Sequence, residues 1–107
     1  MRVISRKALV KYGEQHEDAV RPLDDWYRIV KAAKYESPNE VKATFGSASP
    51  IGDQEVVFNI AGNKYRLVVL FHYAHDDFKG RAYVRQIMTH EEYDVWSVAR
   101  RKAKKKR

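Results

Sequence analysis

Five residues in the second half of the chain could together carry out proton transfer at a phosphate: Lys64, Arg66, Arg85, His90 and Tyr93. Histidine titrates near neutral pH and can take up or release a proton. Arginine and lysine supply positive charge that stabilises a phosphorane. Cleavage of RNA without a metal requires little more, because the 2′-hydroxyl of the RNA is itself the nucleophile. The alternative is a purely structural arrangement, in which these charges face one another across neighbouring strands beside a capped helix and catalyse no reaction.

The elements that must position this set are predicted to form an antiparallel meander. Runs rich in β-branched and aromatic residues cover 56–60, 65–73 and 82–88. The first two are separated by Ala61–Asn63, a tight-turn signal because Gly and Asn tolerate positive φ. Residues 75–80 form the second predicted turn. The pattern therefore predicts three consecutive antiparallel strands.

The pairing of the last two strands predicts where the charged residues meet. With the second hairpin turning near residue 77, Arg66 lies opposite Thr89–His90, and Arg85 lies opposite about Leu70. Lys64 and Arg66 are two residues apart and should share a face of their strand. We therefore expect the five residues to gather at one end of the sheet.

A final helix is predicted to begin at that end. Thr89 and Glu92 fit a capping box, with Thr89 as N-cap and Glu92 at N3. His90 and Tyr93 then share a face of the first turn, and Trp96 is expected to be buried. The free N–H groups and the dipole at such a helix start favour a phosphate.

The first half of the chain is predicted to be mainly helical. A short strand at Arg2–Ile4 precedes a helix that begins at Ser5 and loses its pattern around 13–16, and a second helix follows Pro22. Residues 37–53 have the composition of a loop. The second helix should bury one apolar face made of Leu23, Trp26, Val30 and Ala33. The predicted fold class is α+β: two N-terminal helices on a small antiparallel sheet, formed by the meander and the short N-terminal strand, with a short C-terminal helix.

Composition and charge limit the classes of protein to consider. A chain of 107 residues is one domain, and the absence of cysteine, of long apolar runs and of a leader-like N-terminus predicts a cytoplasmic protein. The net charge of +7 comes from the tail at 100–107, which leaves the predicted domain at 1–99 formally neutral. Such a tail is typical of a protein that binds an anionic partner. The alternative is a frayed end that only keeps the protein soluble.

Metal and cofactor sites are not predicted. His72 and His75 are three residues apart on or beside a strand, so they point to opposite faces. The adjacent pairs Asp24–Asp25 and Asp76–Asp77 lie in turn or cap positions and diverge. No glycine-rich phosphate loop of the nucleotide-binding type is present. We therefore predict neither a metal ion nor a cofactor.

Three stretches of the chain resemble a known family. The segment Phe58–Val69, followed by Tyr83–Arg85 and Met88–Asp94, resembles the HigB toxins, which belong to the RelE-like superfamily of ribosome-dependent mRNA interferases. The resemblance extends more loosely to Trp26–Tyr27 and Val41–Phe45. It implies a RelE-like fold, cleavage of mRNA in the ribosomal A site, and neutralisation by a HigA-type antitoxin with a helix-turn-helix domain. The toxin alone is expected to be a monomer, and the complex with antitoxin a hetero-oligomer.

The resemblance also implies roles for individual residues. Arg66 and Arg85 would stabilise the phosphorane, whereas Lys64, His90 and Tyr93 would serve proton transfer and substrate positioning. It does not assign base and acid, because members of the superfamily distribute these tasks differently. Six further residues are predicted contacts to RNA: Asn63, Arg81, Arg100, Arg101, Lys102 and Lys104.

Two rival interpretations remain open on the sequence. The first is a non-catalytic, basic module that binds RNA or the ribosome, with sheet aromatics such as Tyr65, Phe71, Tyr73 and Tyr83 as a stacking surface. The second is a structural interaction domain in which the charged residues form a solvated rim. Only the ribonuclease predicts new mRNA ends on translating ribosomes.

Overall fold

A computed structural model of the chain describes residues 1–52 and 54–105, with the backbone alone at 104 and 105. Its elements, in chain order, are β1 (Arg2–Ile4), α1 (Arg6–Gln15), a 3-10 helix (Glu17–Ala19), α2 (Val20–Ala32), α3 (Pro38–Thr44), β2 (Ser49–Gly52), β3 (Glu55–Ile60), β4 (Tyr65–His72), β5 (Arg81–Thr89) and α4 (His90–Lys105). The predicted α+β class is confirmed. Within the described ranges, no helix is both long and apolar enough to cross a membrane.

All five strands belong to one sheet, in the order β1-β5-β4-β3-β2. The predicted meander is present as β3, β4 and β5, which pair antiparallel. The predicted N-terminal strand β1 is also present, and it pairs parallel to β5. β4 lies at the centre, and its residues Leu67, Val68 and Val69 are fully buried because both faces of the sheet are covered there.

The first face of the sheet carries the main core. Leu23, Trp26 and Val30 of α2 are buried there, as their helical spacing predicts, and the Trp26 ring packs edge-on against Phe58 at 5.4 Å. The helix starts at Val20 rather than after Pro22. A proline is tolerated in the first turn of a helix because the N–H groups of that turn have no intrahelical partner.

The prediction of a loop over 37–53 is wrong. Ser37 caps α3, its hydroxyl accepting from the Glu40 N–H, and Pro38 occupies the first turn. The Ser-Pro pair that stops one helical pattern is therefore also the start signal of the next helix. The strand β2 follows and pairs antiparallel with β3, with a register shift between Pro50 and Gly52.

The second face of the sheet is covered by α4. Three buried residues form a small cluster on this face, with three partly buried ones packed against them: Val57, Val68 and Met88, then Ile51, Tyr93 and Trp96. α4 has 16 residues and is longer than the short helix predicted. The predicted boundary between residues 99 and 100 falls inside α4, and Arg100 forms an ion pair with Glu55 of β3. Arg100 also lies over the Trp96 ring, 5.1 Å from its centroid.

Candidate active site at the junction of β4 and α4

The turn between β3 and β4 places Arg66. Gly62 and Ala61 adopt positive φ values of 69° and 55°, and the Lys64 N–H donates to the Ala61 carbonyl to close the turn. This brings Asn63 back over the start of β4, where its side-chain oxygen accepts from the Arg66 guanidinium at 2.7 Å. The guanidinium also lies 5.9 Å from the centroid of the Tyr93 ring on α4. Arg66 and Tyr93 are therefore brought together as predicted.

Lys64 turns in a different direction. The prediction that it shares a face with Arg66 assumed strand geometry, but β4 starts at Tyr65 and Lys64 belongs to the turn. Its ammonium group lies 2.8 Å from Asp18 of the 3-10 helix. The Tyr65 hydroxyl donates to the same carboxylate at 2.5 Å. Hydrogen bonds from Lys64 and Tyr65 hold the pKa of Asp18 below its usual value, and the bond to Asp18, with burial, raises the pKa of Tyr65 to about 12. At neutral pH the carboxylate is therefore ionised and the phenol neutral.

The start of α4 is capped as predicted. The Thr89 N–H donates to the Glu92 carboxylate at 2.8 Å, and the Glu92 N–H donates to the Thr89 hydroxyl at 3.1 Å. The His90 N–H donates to the Lys64 carbonyl at 2.8 Å. The expectation of free N–H groups for a phosphate is therefore wrong for His90 and Glu92. These two N–H groups are therefore not available to an anion.

His90 is held by its own helix. Its Nδ1 lies 3.3 Å from the Asp94 carboxylate, one helical turn further along. Because Nδ1 faces Asp94, Nε2 is the ring nitrogen directed away from that carboxylate. His90 also lines an open cleft of about 560 Å³, whose other walls are Asp18, Asn63, Lys64, Tyr65, Thr89 and Glu91. Lys64 and His90 are therefore brought into one cleft, and Asn63 connects this cleft to Arg66.

Arg85 occupies a β-bulge. Val68 pairs with Gln86 and Val69 with Val84, so Arg85 is the extra residue on β5. The residues on either side of the Arg85–Gln86 pair, Val84 and Ile87, pack into the core of the first face. The bulge therefore leaves Arg85 and Gln86 exposed on the other side.

The register differs from the predicted one by two residues on the hairpin side of this bulge and by one residue beyond it. Leu70 pairs with Tyr83 rather than with Arg85, and Arg66 pairs with Met88 rather than with Thr89 or His90. Arg85 is consequently nearer to the Arg66 end of the sheet than expected.

The predicted RNA contacts are not all near the cleft. Arg81 is the first residue of β5, about 27 Å of strand away from Thr89 at its end. Arg100 is engaged with Glu55 and Trp96, whereas Arg101 and Lys102 are exposed on α4. The side chain of Lys104, together with residues 106 and 107, lies outside the described part of the chain.

A second, smaller cleft of about 290 Å³ lies between α4 and β2. Tyr93 and Trp96 form its aromatic wall, with ring centroids 5.7 Å apart, and Arg101 lies at its edge. Trp96 is only partly buried, so the prediction that the final helix buries it holds in part. This cleft continues the site along α4, away from Lys64.

Sequence reasoning missed two residues of the site. Asp94 could have been found, because the four-residue spacing from His90 places both on one face of a helix. Asp18 left no comparable signal, since its partner Lys64 is 46 residues away in the chain.

The site can hold a phosphate and exchange protons near it. Two arginines and a lysine supply positive charge, and a histidine and a tyrosine supply groups that transfer or orient a proton. Side chains of these types are suited to chemistry on a phosphodiester. Comparison with known families agrees: the family model HigB_toxin, described as the RelE-like toxic component of a toxin-antitoxin system, matches residues 19–96. The chain belongs to this family.

Three named relatives match over nearly the whole chain. The chain is 29% identical over 108 residues to proteins named mRNA interferase toxin HigB from Escherichia coli (strain K12) and mRNA interferase HigB from Escherichia coli O157:H7 and Shigella flexneri. Each match covers 99% of this chain and 100% of the relative.

Proposed function

We propose that the chain is an endoribonuclease, the toxin of a toxin–antitoxin pair, which cleaves mRNA in the ribosomal A site. The observation that carries the proposal is the junction of β4 and α4. There Arg66 contacts Tyr93, and Lys64 lines one cleft with His90. The relatives named mRNA interferase support RNA as the substrate.

The proposed reaction uses the RNA's own nucleophile. The 2′-oxygen attacks the adjacent phosphorus and gives up its proton to a base, while the bond from phosphorus to the 5′-oxygen breaks and an acid protonates that oxygen. The products are a 2′,3′-cyclic phosphate and a 5′-hydroxyl end. No external nucleophile, metal or cofactor is required, because every atom transferred comes from the RNA or from a protonated side chain.

Individual residues take the following roles in the proposal. Arg66 and Arg85 stabilise the phosphorane, and the bond from Asn63 fixes the direction of the Arg66 guanidinium. His90 transfers a proton through Nε2, with Asp94 fixing the ring. Lys64 and Tyr93 place the substrate or complete the proton transfer.

Ribosome dependence is part of the proposal, and the charge of the site supports it. The cleft contains Asp18 and Glu91 as well as Lys64, so free RNA gains little from the cleft alone. On the ribosome, rRNA would position the mRNA and the exposed basic residues of α4 would contact it, which turns a weak encounter into an oriented one. The protein would then act in the cytoplasm and stop translation until a HigA-type antitoxin binds it.

The test is cleavage of a defined mRNA by purified protein, with and without translating ribosomes, followed by mapping of the new ends. We expect 5′-hydroxyl ends inside the reading frame only when ribosomes are present. Equal rates on naked RNA would contradict the ribosome requirement. Binding to ribosomes without new ends would instead identify a non-catalytic module.

A further inference from the structure

An acidic side chain lies in a cleft proposed to act on a polyanion. The Asp18 carboxylate accepts from Lys64 at 2.8 Å and from the Tyr65 hydroxyl at 2.5 Å. It belongs to the 3-10 helix between α1 and α2, an element that is far along the chain from the motifs of β4 and α4. A carboxylate here repels an RNA phosphate, so the binding of substrate alone does not account for it.

In the ion pair between Asp18 and Lys64, the Asp18 carboxylate is the group held in a fixed position. Tyr65 is 8% exposed, and its ring packs edge-on against Tyr12 at 5.7 Å and His16 at 5.3 Å. Its hydroxyl therefore holds one oxygen of the carboxylate in place. The Lys64 side chain is 66% exposed, and an ion pair at such an exposed position adds little to stability. The pair thus orders a flexible side chain and contributes little to the fold.

Both ends of Lys64 are tied to the site. Its carbonyl accepts from the His90 N–H at 2.8 Å, which fixes the lysine backbone relative to the first residue of α4. Asp18 fixes the ammonium group at the far end of a stem with four rotatable bonds. The ammonium group therefore has a defined place relative to His90 in the same cleft.

We propose that Asp18 is a positioning residue, which holds the Lys64 ammonium group at the place in the cleft where the scissile phosphate binds. This inference rests on the proposed function, since it assigns Asp18 an effect only through Lys64. Asp18 lowers the affinity for RNA by its charge and raises the rate of cleavage by ordering Lys64. Its removal should therefore affect kcat and KM in different ways.

The test compares Asp18→Asn with Glu17→Gln, which removes the same charge from the preceding residue of the 3-10 helix. With mRNA-programmed ribosomes as substrate, Asp18→Asn should lower kcat by about tenfold without raising KM, because misplacing a catalytic group by about 1 Å can cost up to roughly 100-fold. Asp18→Glu should recover part of the loss, and Glu17→Gln should leave both constants unchanged. The melting temperature of each variant is measured alongside.

A double variant separates positioning from a structural role. If Asp18 acts through Lys64, then Asp18→Asn should add nothing to the loss caused by Lys64→Met. Additive losses, a raised KM, or an unchanged or faster kcat in Asp18→Asn would overturn the inference. A Lys64→Met variant with full activity would overturn it too, while cleavage by the wild type would leave the proposed function standing.

A measurement without catalysis completes the design. The Nζ–Hζ signal of Lys64 in NMR spectra should show a slowly exchanging, ordered ammonium group in the wild type and in Glu17→Gln, and lose that order in Asp18→Asn. Equal order in all three proteins would overturn the inference. If the wild type cleaves no mRNA, the proposed function fails, and this signal still decides whether Asp18 orders Lys64.

Discussion

The face of the sheet under α1–α3 and the face under α4 differ in how completely they are covered. On the first face Trp26, Phe58 and Phe71 are almost wholly buried in one large aromatic and aliphatic core. On the second face the buried cluster is small, and Arg66 and Arg85 lie beside it with access to water. The first face therefore supplies the stability that allows the second face to carry charge. The candidate site residues lie on the thinly covered face and the adjoining turn.

The largest expected effect is on stability, from a change in the core of the first face. Phe58→Ala should lower the free energy of unfolding by about 3 to 5 kcal/mol, because it leaves a cavity under Trp26. Val57→Ala, the neighbouring position on the second face, should cost only about 1.5 kcal/mol. Urea unfolding followed by circular dichroism measures both. Equal losses would show that the two faces stabilise the fold alike.

The next effect concerns activity, and belongs to the second face. Arg66→Ala and Arg85→Ala should each lower cleavage of mRNA by roughly 100-fold to 1000-fold, the usual cost of one donor to a developing charge. Stability should stay unchanged, since neither side chain is in the core. Arg66→Lys should recover activity only in part, because an ammonium group cannot bind a phosphate bidentately.

Arg2→Ala, an exposed arginine on the edge strand β1, is the control for these variants. Full activity in Arg66→Ala would show that the active site does not lie on the second face. Unfolding of that variant would mean that the arginine is part of the structure.

A smaller effect is expected where α4 meets the sheet. Arg100→Ala should lower the free energy of unfolding by about 1 to 3 kcal/mol, since it leaves Glu55 without its partner in a partly buried position. Arg101→Ala, one residue further along and exposed, should have little effect on stability. If both variants are as stable as the wild type, α4 does not depend on the ion pair to cover the second face.

The smallest expected effect concerns the basic end of the chain. Removal of Ala103–Arg107 should flatten the salt dependence of ribosome binding by about 0.7 to 0.9 log units per decade for each rRNA phosphate that these residues neutralise. Cleavage at saturating ribosome should hardly change, since the cleft itself is untouched. Affinity that is unchanged across a salt series would assign these residues to solubility alone.

Periodicity and local spacing correctly predicted the elements whose sequence pattern lies within the element itself. The apolar face of α2, the three strands of the meander and the capping box at Thr89 were predicted because each follows from residues near one another in the chain. The failure at 37–53 has the same origin. The Ser-Pro pair interrupts the helical pattern of the sequence but starts a helix in the structure, and seven residues carry too little periodicity to reveal α3.

The candidate site was predictable in its membership and less so in its arrangement. The residue types and the turn at Gly62 indicated Lys64, Arg66, His90 and Tyr93. The structure brings them together in two pairs, Lys64 with His90 and Arg66 with Tyr93. Asn63 lines the cleft of the first pair and accepts a hydrogen bond from Arg66 of the second. Antiparallel pairing predicted the register to within one residue near Arg66. It missed the bulge at Arg85, because a bulge is set by packing on both sides of a strand and not by the pairing rule.

Patterns a few residues long were enough to predict the α+β class, the meander, the capped start of α4 and the family resemblance. The other features depend on how the elements pack together. Only packing on the second face showed that Arg100 pairs with Glu55 and that α4 runs on past residue 100. Only the meeting of the 3-10 helix with the turn before β4 placed Asp18 beside Lys64. Such partners lie tens of residues apart in the chain, and the folded core alone fixes the distance between them.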